Sequence, residues 1–189
     1  MVLESLVVAI WLMLPAYVAN CSAALFGGGR SIDGGLVLWD GRRALGDGKT
    51  LRGLALGSAC GVGVGILQML MLSTAQETLQ HLDVRLPAFG EGLEAGIIVF
   101  CLSVGALLGD MAASFFKRRL GLKRGSPLPP IDQLDFVAGA WLLTALVARE
   151  WFFEQFTTGV MLAVIIITPV LHVASNVIGY LMGKKQVPW

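Results

Sequence analysis

Long apolar runs, separated by short polar segments, extend along the whole chain. A helix needs about 20 mostly apolar residues to cross a hydrocarbon layer roughly 30 Å thick, because it rises about 1.5 Å per residue. The pattern therefore predicts an all-α, polytopic membrane protein with five transmembrane helices and a single domain over residues 1–189. The five predicted spans are Val2–Leu25, Leu51–Thr74, Leu93–Met111, Phe136–Arg149 and Phe156–Met182.

Basic residues fall almost entirely on one side of these predicted spans. Of the 14 Lys and Arg residues, all but Arg85 and Arg149 lie in the loops after spans one and three or in the tail. Lys and Arg concentrate in cytoplasmic segments. We therefore predict a multi-pass cell-membrane protein with its N-terminus outside, its C-terminus in the cytoplasm, and cytoplasmic loops at about 26–50 and 112–134.

The composition agrees with a membrane protein, and the cysteine spacing argues against a zinc site or a disulfide framework. The chain is 56% hydrophobic and 14% charged, a charged share too small to cover a soluble domain of this length. The three cysteines, Cys21, Cys60 and Cys101, are far apart in the sequence and fall within predicted spans. Their spacing matches neither a zinc site nor a disulfide framework.

The first cytoplasmic loop ends in a glycine-rich basic motif, Gly46-Asp47-Gly48-Lys49-Thr50. It resembles the end of a phosphate-binding P-loop, but Arg43 stands where that motif requires glycine, so a P-loop NTPase is excluded. Exposed backbone N–H groups at a helix start, beside Lys49 and Arg52, still form a natural anion site. The alternative is a basic membrane anchor with flexible turns.

The second loop and its flanks carry a more specific pattern. Asp110, Ser114 and Lys117 share one face if the third span continues as a helix, and Asp132 and Asp135 share a face at the start of the fourth. Carboxylates hold a divalent cation, and ammonium groups hold phosphate oxygens. Helix capping is the alternative for the second pair. Capping does not explain Asp110, an acidic residue at the C-terminal end of the third span.

A polar stripe follows one face of the fifth predicted span. Polar groups inside a bilayer are costly and face a cavity or another helix. The stripe predicts either the wall of a polar cleft or interhelical hydrogen bonding, and Asn20 near the end of the first span is a similar case. Its members are Thr168, His172, Ser175, Asn176 and Gly179.

The second-loop motifs resemble the signature of the CTP-dependent phosphatidate cytidylyltransferases. The matching elements are Gly109-Asp110, Ser114, Lys117-Arg118 and Asp132-Gln133-Leu134-Asp135. Two elements depart from that family: Gln133 replaces its Arg, and a proline-rich turn replaces its Gly-His-Gly-Gly stretch. Together with Asn20, the Phe26–Arg30 glycines, the Leu45–Gly53 segment and His172/Asn176, the pattern is similar to the archaeal CDP-archaeol synthases.

This resemblance implies a nucleotidyl transfer at the cytoplasmic face. CMP would pass from CTP to an unsaturated archaeal ether lipid phosphate, 2,3-bis-geranylgeranyl-glyceryl 1-phosphate, giving CDP-archaeol and pyrophosphate. It also implies Mg²⁺ as cofactor. CTP, the isoprenoid ether lipid phosphate and the lipid bilayer are the expected partners. We expect no nucleic-acid partner, and the sequence leaves the oligomeric state open.

The resemblance also implies roles for individual residues. The implied catalytic residues are Asp110, Asp132, Asp135 and Lys117, of which the three aspartates hold the metal. The implied nucleotide-binding residues are Gly46, Asp47, Gly48, Lys49, Thr50, Arg52, Ser114 and Arg118. The implied lipid-binding residues are Asn20, His172 and Asn176.

Two rival functions compete with this interpretation. A small membrane transporter or channel would use a polar path through span five, with functional residues placed from one side of the membrane to the other. Here the polar candidates crowd towards one side. A lipid kinase or lipid phosphatase is the second rival, and nucleotide preference or release of inorganic phosphate separates it from a cytidylyltransferase.

Overall fold

A computed structural model of the protein describes residues 2–122, 126, 128, 131–181 and 183, without the side chains of 176, 178 and 179. The described part is helical, apart from two isolated antiparallel bridges, Ser31 to Thr50 and Val37 to Arg43. Its helices are α1 Val2–Phe26, α2 Leu51–Leu79, α3 Gly92–Arg119, α4 Ile131–Val147, α5 Arg149–Gln155 and α6 Thr158–Leu181, with a short 3₁₀ turn at Gln80–Leu82.

Four helical stretches in the described part are long and apolar enough to cross a membrane. They are Val2–Phe26, Leu51–Leu82, Gly92–Arg119 and Thr158–Ser175, matching predicted spans one, two, three and five. The predicted fourth span coincides with α4, which has 17 residues. At about 1.5 Å per residue, α4 is about 25 Å long, shorter than the hydrocarbon layer.

Helix α3 continues well beyond the apolar run that predicts it. The run ends at Met111, whereas the helix ends at Arg119. Asp110, Ser114 and Lys117 therefore do lie along one helix, as their spacing predicts. The predicted second loop, 112–134, is reduced to residues 120–130 by this extension and by the early start of α4.

A ridge of glycines on α2 brings three helices into backbone contact. A Cβ on Gly57 would lie 2.8 Å from the carbonyl oxygen of Ala19, and one on Gly61 would lie 2.6 Å from that of Pro15. One turn further, a Cβ on Gly65 would lie 2.2 Å from the Val99 side chain of α3. The ridge packs α2 antiparallel to α1.

Helices α3 and α4 also pack backbone to backbone, and this contact builds the site. A Cβ on Gly109 would lie 2.2 Å from the carbonyl oxygen of Asp135, and one on Gly139 would lie 2.3 Å from that of Gly105. The two helices run antiparallel through this contact. Because Asp110 follows Gly109 directly, the contact also fixes Asp110 beside the first turns of α4.

Helix α6 runs parallel to α1. Gly159 lies beside Ser5, and further along Thr168 bonds to Tyr17. With α2 antiparallel to α1, α3 antiparallel to α2 and α4 antiparallel to α3, residues 27–50 lie at the same end of the bundle as the C-terminus of α3 and the N-terminus of α4. At the other end, aromatic rings from α4, α5 and the start of α6 pack together, with Phe152 and Phe156 stacked at 4.8 Å.

Candidate functional site

Loop 1, residues 27–50, is organised around the carboxylate of Asp33. Its side chain is 2% exposed. It accepts hydrogen bonds from the backbone N–H groups of Leu45 at 3.0 Å, Gly46 at 2.9 Å and Gly35 at 3.2 Å, and from the Arg43 guanidinium at 2.6 Å. The bond from Arg43, together with the backbone donors, holds the Asp33 pKa well below its usual value. Asp33 therefore fixes the start of the glycine-rich motif.

Thr50 joins the end of loop 1 to its beginning. It is the N-cap of α2, and its buried hydroxyl accepts from the N–H of Gly53 at 3.0 Å and of Gly28 at 3.2 Å. The preceding residue, Lys49, reaches across the bundle end, and its ammonium group forms an ion pair with Asp110. Loop 1 thus presents the Lys49 ammonium group to Asp110 on α3.

The main charged cluster is a carboxylate–lysine site, which we define as Lys49, Asp110, Lys117, Asp132 and Asp135. Lys117 Nζ lies 2.8 and 2.9 Å from the two carboxylate oxygens of Asp132. Asp110, Lys49 and Asp132 all lie near enough to Asp135 to interact with it electrostatically, and Lys117 joins the cluster through Asp132. The paired carboxylates are 28% (Asp110) and 26% (Asp132) exposed, which leaves them accessible from outside the bundle.

Asp132 has a second contact that concerns the capping alternative. Its carboxylate accepts from the backbone N–H of Leu128 at 2.9 Å, and its own N–H donates to the Leu128 carbonyl at 3.1 Å. These bonds stabilise the start of α4, as capping would. They do not account for the bidentate contact with Lys117 on another helix. Asp135, one turn on, accepts from the N–H of Phe136 at 2.6 Å.

The donor set of the site suits a hard cation, although its oxygens are not gathered around one point. Mg²⁺ prefers carboxylate oxygens, and three aspartates supply them. No group of three or more His, Cys, Asp or Glu residues is close enough to hold a metal ion within the described part of the chain. Ammonium groups instead lie beside the carboxylates of Asp110 and Asp132.

Two arginines tie loop 1 to the end of α3. Arg119 donates to the carbonyl oxygen of Arg43 at 2.6 Å and pairs with Asp40, while Arg42 donates back to the Arg119 carbonyl at 2.5 Å. A cation at a helix C-terminus is favourable. Sequence reasoning treated these residues as membrane-orienting charge, since nothing in their spacing indicates a reciprocal contact.

The other predicted nucleotide-binding residues surround this cluster without a common contact. Asp47 pairs with Arg43 at 2.9 Å and has an exposed side chain. Gly46 has a φ of +93°, which glycine tolerates readily. Gly48 and Arg52 are exposed, whereas Ser114 and Arg118 are half-buried on α3.

The polar stripe on α6 divides into two parts. Thr168 is buried, lies 2.8 Å from the Tyr17 hydroxyl and donates to the Val164 carbonyl, so interhelical hydrogen bonding is confirmed at this residue. His172, one turn further on, is half-buried, as is Asn20 on α1. The side chain of Asn176, also predicted to bind lipid, lies outside the described residues.

The chain is similar to known proteins along almost its whole length. A family model described as CarS-like, CDP-archaeol synthase, matches residues 2–189. The CDP-archaeol synthase of Methanosarcina barkeri is 55% identical over 178 residues, covering 94% of this chain and 100% of that protein. That of Natronomonas pharaonis is 46% identical with both chains covered in full. A solved structure, an intramembrane enzyme for archaeal membrane lipids biosynthesis, matches with a TM-score of 0.69 and 38% identity over 89% of this chain and 92% of that one.

Proposed function

The chain belongs to the CDP-archaeol synthase family, and from this we propose that the carboxylate–lysine site is where its CTP-dependent cytidylyl transfer takes place. The observation that supports this assignment is the pair of ion pairs, Lys49 with Asp110 and Lys117 with Asp132. They bring together, at one end of the bundle, the two kinds of charge that a cation–triphosphate substrate requires. Membership of a synthase family gives the transporter alternative no support.

The acceptor in this proposal is 2,3-bis-geranylgeranyl-glyceryl 1-phosphate. One of its phosphate oxygens attacks the α-phosphorus of CTP, and the bond from that phosphorus to the oxygen bridging to the β-phosphate breaks. CDP-archaeol forms, and pyrophosphate leaves with the bond electrons. Such a transfer asks the protein mainly for positioning and charge neutralisation, and no covalent intermediate with the enzyme is needed.

Lysine exchange is the central step of this proposal. On nucleotide binding, Lys49 and Lys117 leave their carboxylates and turn to phosphate oxygens of CTP. The carboxylates of Asp110, Asp132 and Asp135 would then hold Mg²⁺, which would supply charge neutralisation for the triphosphate and for the departing pyrophosphate. The partial exposure of both ion pairs supports this exchange, because neither pair is sealed in the core.

The residues around the cluster complete the proposed nucleotide site. The N–H group of Gly48, at the approach to the N-terminus of α2, suits the negative phosphates, whereas the Gly46 N–H already donates to Asp33 and sets the turn that presents Gly48. Asp47, Thr50, Arg52, Ser114 and Arg118 surround these groups and are proposed as nucleotide contacts. Asn20, His172 and Asn176 are proposed to contact the lipid headgroup.

We also propose that α4 crosses the membrane as a fifth span, with the loop end in the cytoplasm. The alternating helix directions put the two basic segments at one end of the bundle, and Lys and Arg favour the cytoplasmic side. An odd number of spans then leaves the N-terminus outside.

The test is product formation from radiolabelled CTP by purified protein in detergent, with the ether lipid phosphate and Mg²⁺. We expect a CDP-lipid and an equal amount of pyrophosphate, both lost on chelation. Asp132→Asn should reduce turnover by on the order of 100-fold or more while the protein stays folded. Asp83→Asn is the matched control, because Asp83 is an exposed acid at the opposite end of the bundle.

Four results would contradict the proposal or a part of it. Near-normal turnover by Asp132→Asn would take this residue out of the site. Turnover with ATP but not CTP would indicate a lipid kinase, and release of inorganic phosphate from the lipid would indicate a phosphatase. Turnover unaffected by chelation would remove the metal from the mechanism.

A further inference from the structure

A hairpin in loop 1 exposes large apolar side chains that the proposed chemistry does not use. We call residues Leu36–Arg43 the anchor hairpin. It is closed by the antiparallel bridge between Val37 and Arg43 and by a hydrogen bond from the Leu38 N–H to the Arg42 carbonyl at 2.9 Å. The exposed fractions are 56% for Leu36, 54% for Val37 and 85% for Trp39. Exposed apolar clusters of this kind mark an interaction surface.

The neighbouring surface of α3 indicates which partner covers the hairpin. Leu108, Phe116 and Leu120 are exposed and spaced by multiples of four, so they follow one face of a candidate transmembrane helix and its C-cap. An exposed apolar face on such a helix is turned towards lipid. This face runs about 18 Å from Leu108 to Leu120, so the membrane layer continues past Asp110 to the end of α3.

Trp39 is joined to that lipid-facing surface through aromatic and cationic contacts. The Arg119 guanidinium lies 5.8 Å from the centre of the Trp39 ring and 5.3 Å from that of Phe115, and the Phe115 ring meets Phe116 edge-on at 5.7 Å. Tryptophan beside a cation at the end of a spanning helix is the composition found at membrane–water interfaces.

We propose that the anchor hairpin is seated in the headgroup layer of the leaflet on the loop side, with Leu36, Val37 and Trp39 as its lipid contacts. The bilayer, and not a second copy of the chain, is the partner, since the hairpin surface is continuous with the lipid-facing surface of α3. Asp33 and Arg43 join this hairpin to the glycine-rich motif, because Asp33 accepts from both Arg43 and the Gly46 N–H. The inference does not depend on the proposed chemistry.

Depth-dependent quenching in vesicles tests this inference. The full chain, with Cys21, Cys60 and Cys101 replaced by alanine, carries Trp39→Cys labelled with an environment-sensitive fluorophore in phosphatidylcholine vesicles. We expect blue-shifted emission, strong quenching by spin labels on the headgroup or upper acyl chain, and weak quenching by aqueous iodide. Matched labels are placed at Asp47→Cys, in the same loop, and at Leu108→Cys, on the exposed apolar face of α3. They give the reference quenching for a water-exposed position and for a position deep in the membrane.

Two outcomes would overturn the proposal. A label at position 39 that iodide quenches as strongly as the label at position 47, with no effect of lipid spin labels, puts the hairpin in water. Energy transfer between labelled chains that persists when the protein is diluted with excess lipid makes a second copy the partner. A label at Val37→Cys repeats the measurement with Trp39 in place. It shows whether the result at position 39 is caused by loss of the tryptophan.

Discussion

Asp33 and Asp110 are both paired aspartates at the same end of the bundle, and their surroundings differ sharply. Asp33 is almost fully buried, and its donors all come from its own loop. Asp110 is 28% exposed and is paired with a lysine from a different segment. A carboxylate saturated by donors from its own loop fixes structure, whereas a partly exposed carboxylate paired with an ammonium group from another segment can exchange that partner for a ligand.

Among changes that keep every charged group, the largest effect should come from displacing Asp110, the partly exposed aspartate. Gly109→Ala puts a Cβ 2.2 Å from the Asp135 carbonyl oxygen, so α3 and α4 must separate. A displacement of about 1 Å in reacting groups costs on the order of 100-fold in rate. We expect turnover to fall by about that factor and the melting temperature to fall with it.

The matched control for this variant lies on the same helix. Gly96→Ala meets nothing within 4 Å and should leave both turnover and melting temperature near those of the parent. Equal behaviour of the two variants would show that the close contact between α3 and α4 does not set the geometry of the carboxylates.

The structural role of Asp33 can be tested by removing its charge. Asp33→Asn removes the charged partner of Arg43 and weakens the hydrogen bonds from the Leu45 and Gly46 N–H groups. We expect the KM for CTP to rise on the order of 10-fold with a smaller change in kcat, and trypsin to cut loop 1 faster. A loss of kcat as large as that of Asp132→Asn would break the distinction between the two kinds of aspartate.

The pH dependence of this loop follows from the same carboxylate. The Asp33 pKa is lower in the folded protein than in the unfolded chain, where it is about 3.9. The stability it contributes is therefore complete above that unfolded value and is lost as the pH falls through the folded pKa. The protection of loop 1 amides from hydrogen exchange in the parent, after correction for the intrinsic exchange rate, should therefore not fall between about pH 8 and 5.

The smallest effect should come from the α6 stripe. His172→Ala should raise the KM for the lipid phosphate a few-fold and leave that for CTP unchanged, because His172 is proposed to contact the lipid headgroup and has no proposed role in binding the nucleotide. Separate titrations of the two substrates measure this. An unchanged lipid KM would assign the stripe beyond Thr168 to helix packing.

The sequence alone predicts the membrane spans that have long apolar runs. It does not predict the ends of helices that are held by packing against other helices. Spans one, two, three and five follow from hydropathy alone. The start and end of α4 depend instead on its glycine contact with α3, and the following helix, Arg149–Gln155, is held by aromatic packing. Neither signal is visible in a hydropathy pattern.

The site was predicted residue by residue but not contact by contact. The motif spacing named Asp110, Lys117 and Asp132, yet the pairing of Lys49 with Asp110 spans 61 positions and requires the folded helix ends. Asp33 was missed because its main partners lie 10–13 residues away. A local signal existed in the Gly34-Gly35 that follow it, since aspartate before glycines is typical of a turn in which the side chain bonds the backbone.

The hydroxyl of Thr50 has a consequence for how loop 1 tolerates changes in length. By bonding Gly28, and with Ser31 bridged to Thr50, it fastens the base of the loop close to both helix ends. Residues inserted at the hairpin tip would enlarge a ring that is already closed, and doubling a flexible loop costs only about 0.6 kcal/mol. Insertions there are therefore expected to leave the alignment of α1 and α2 unchanged.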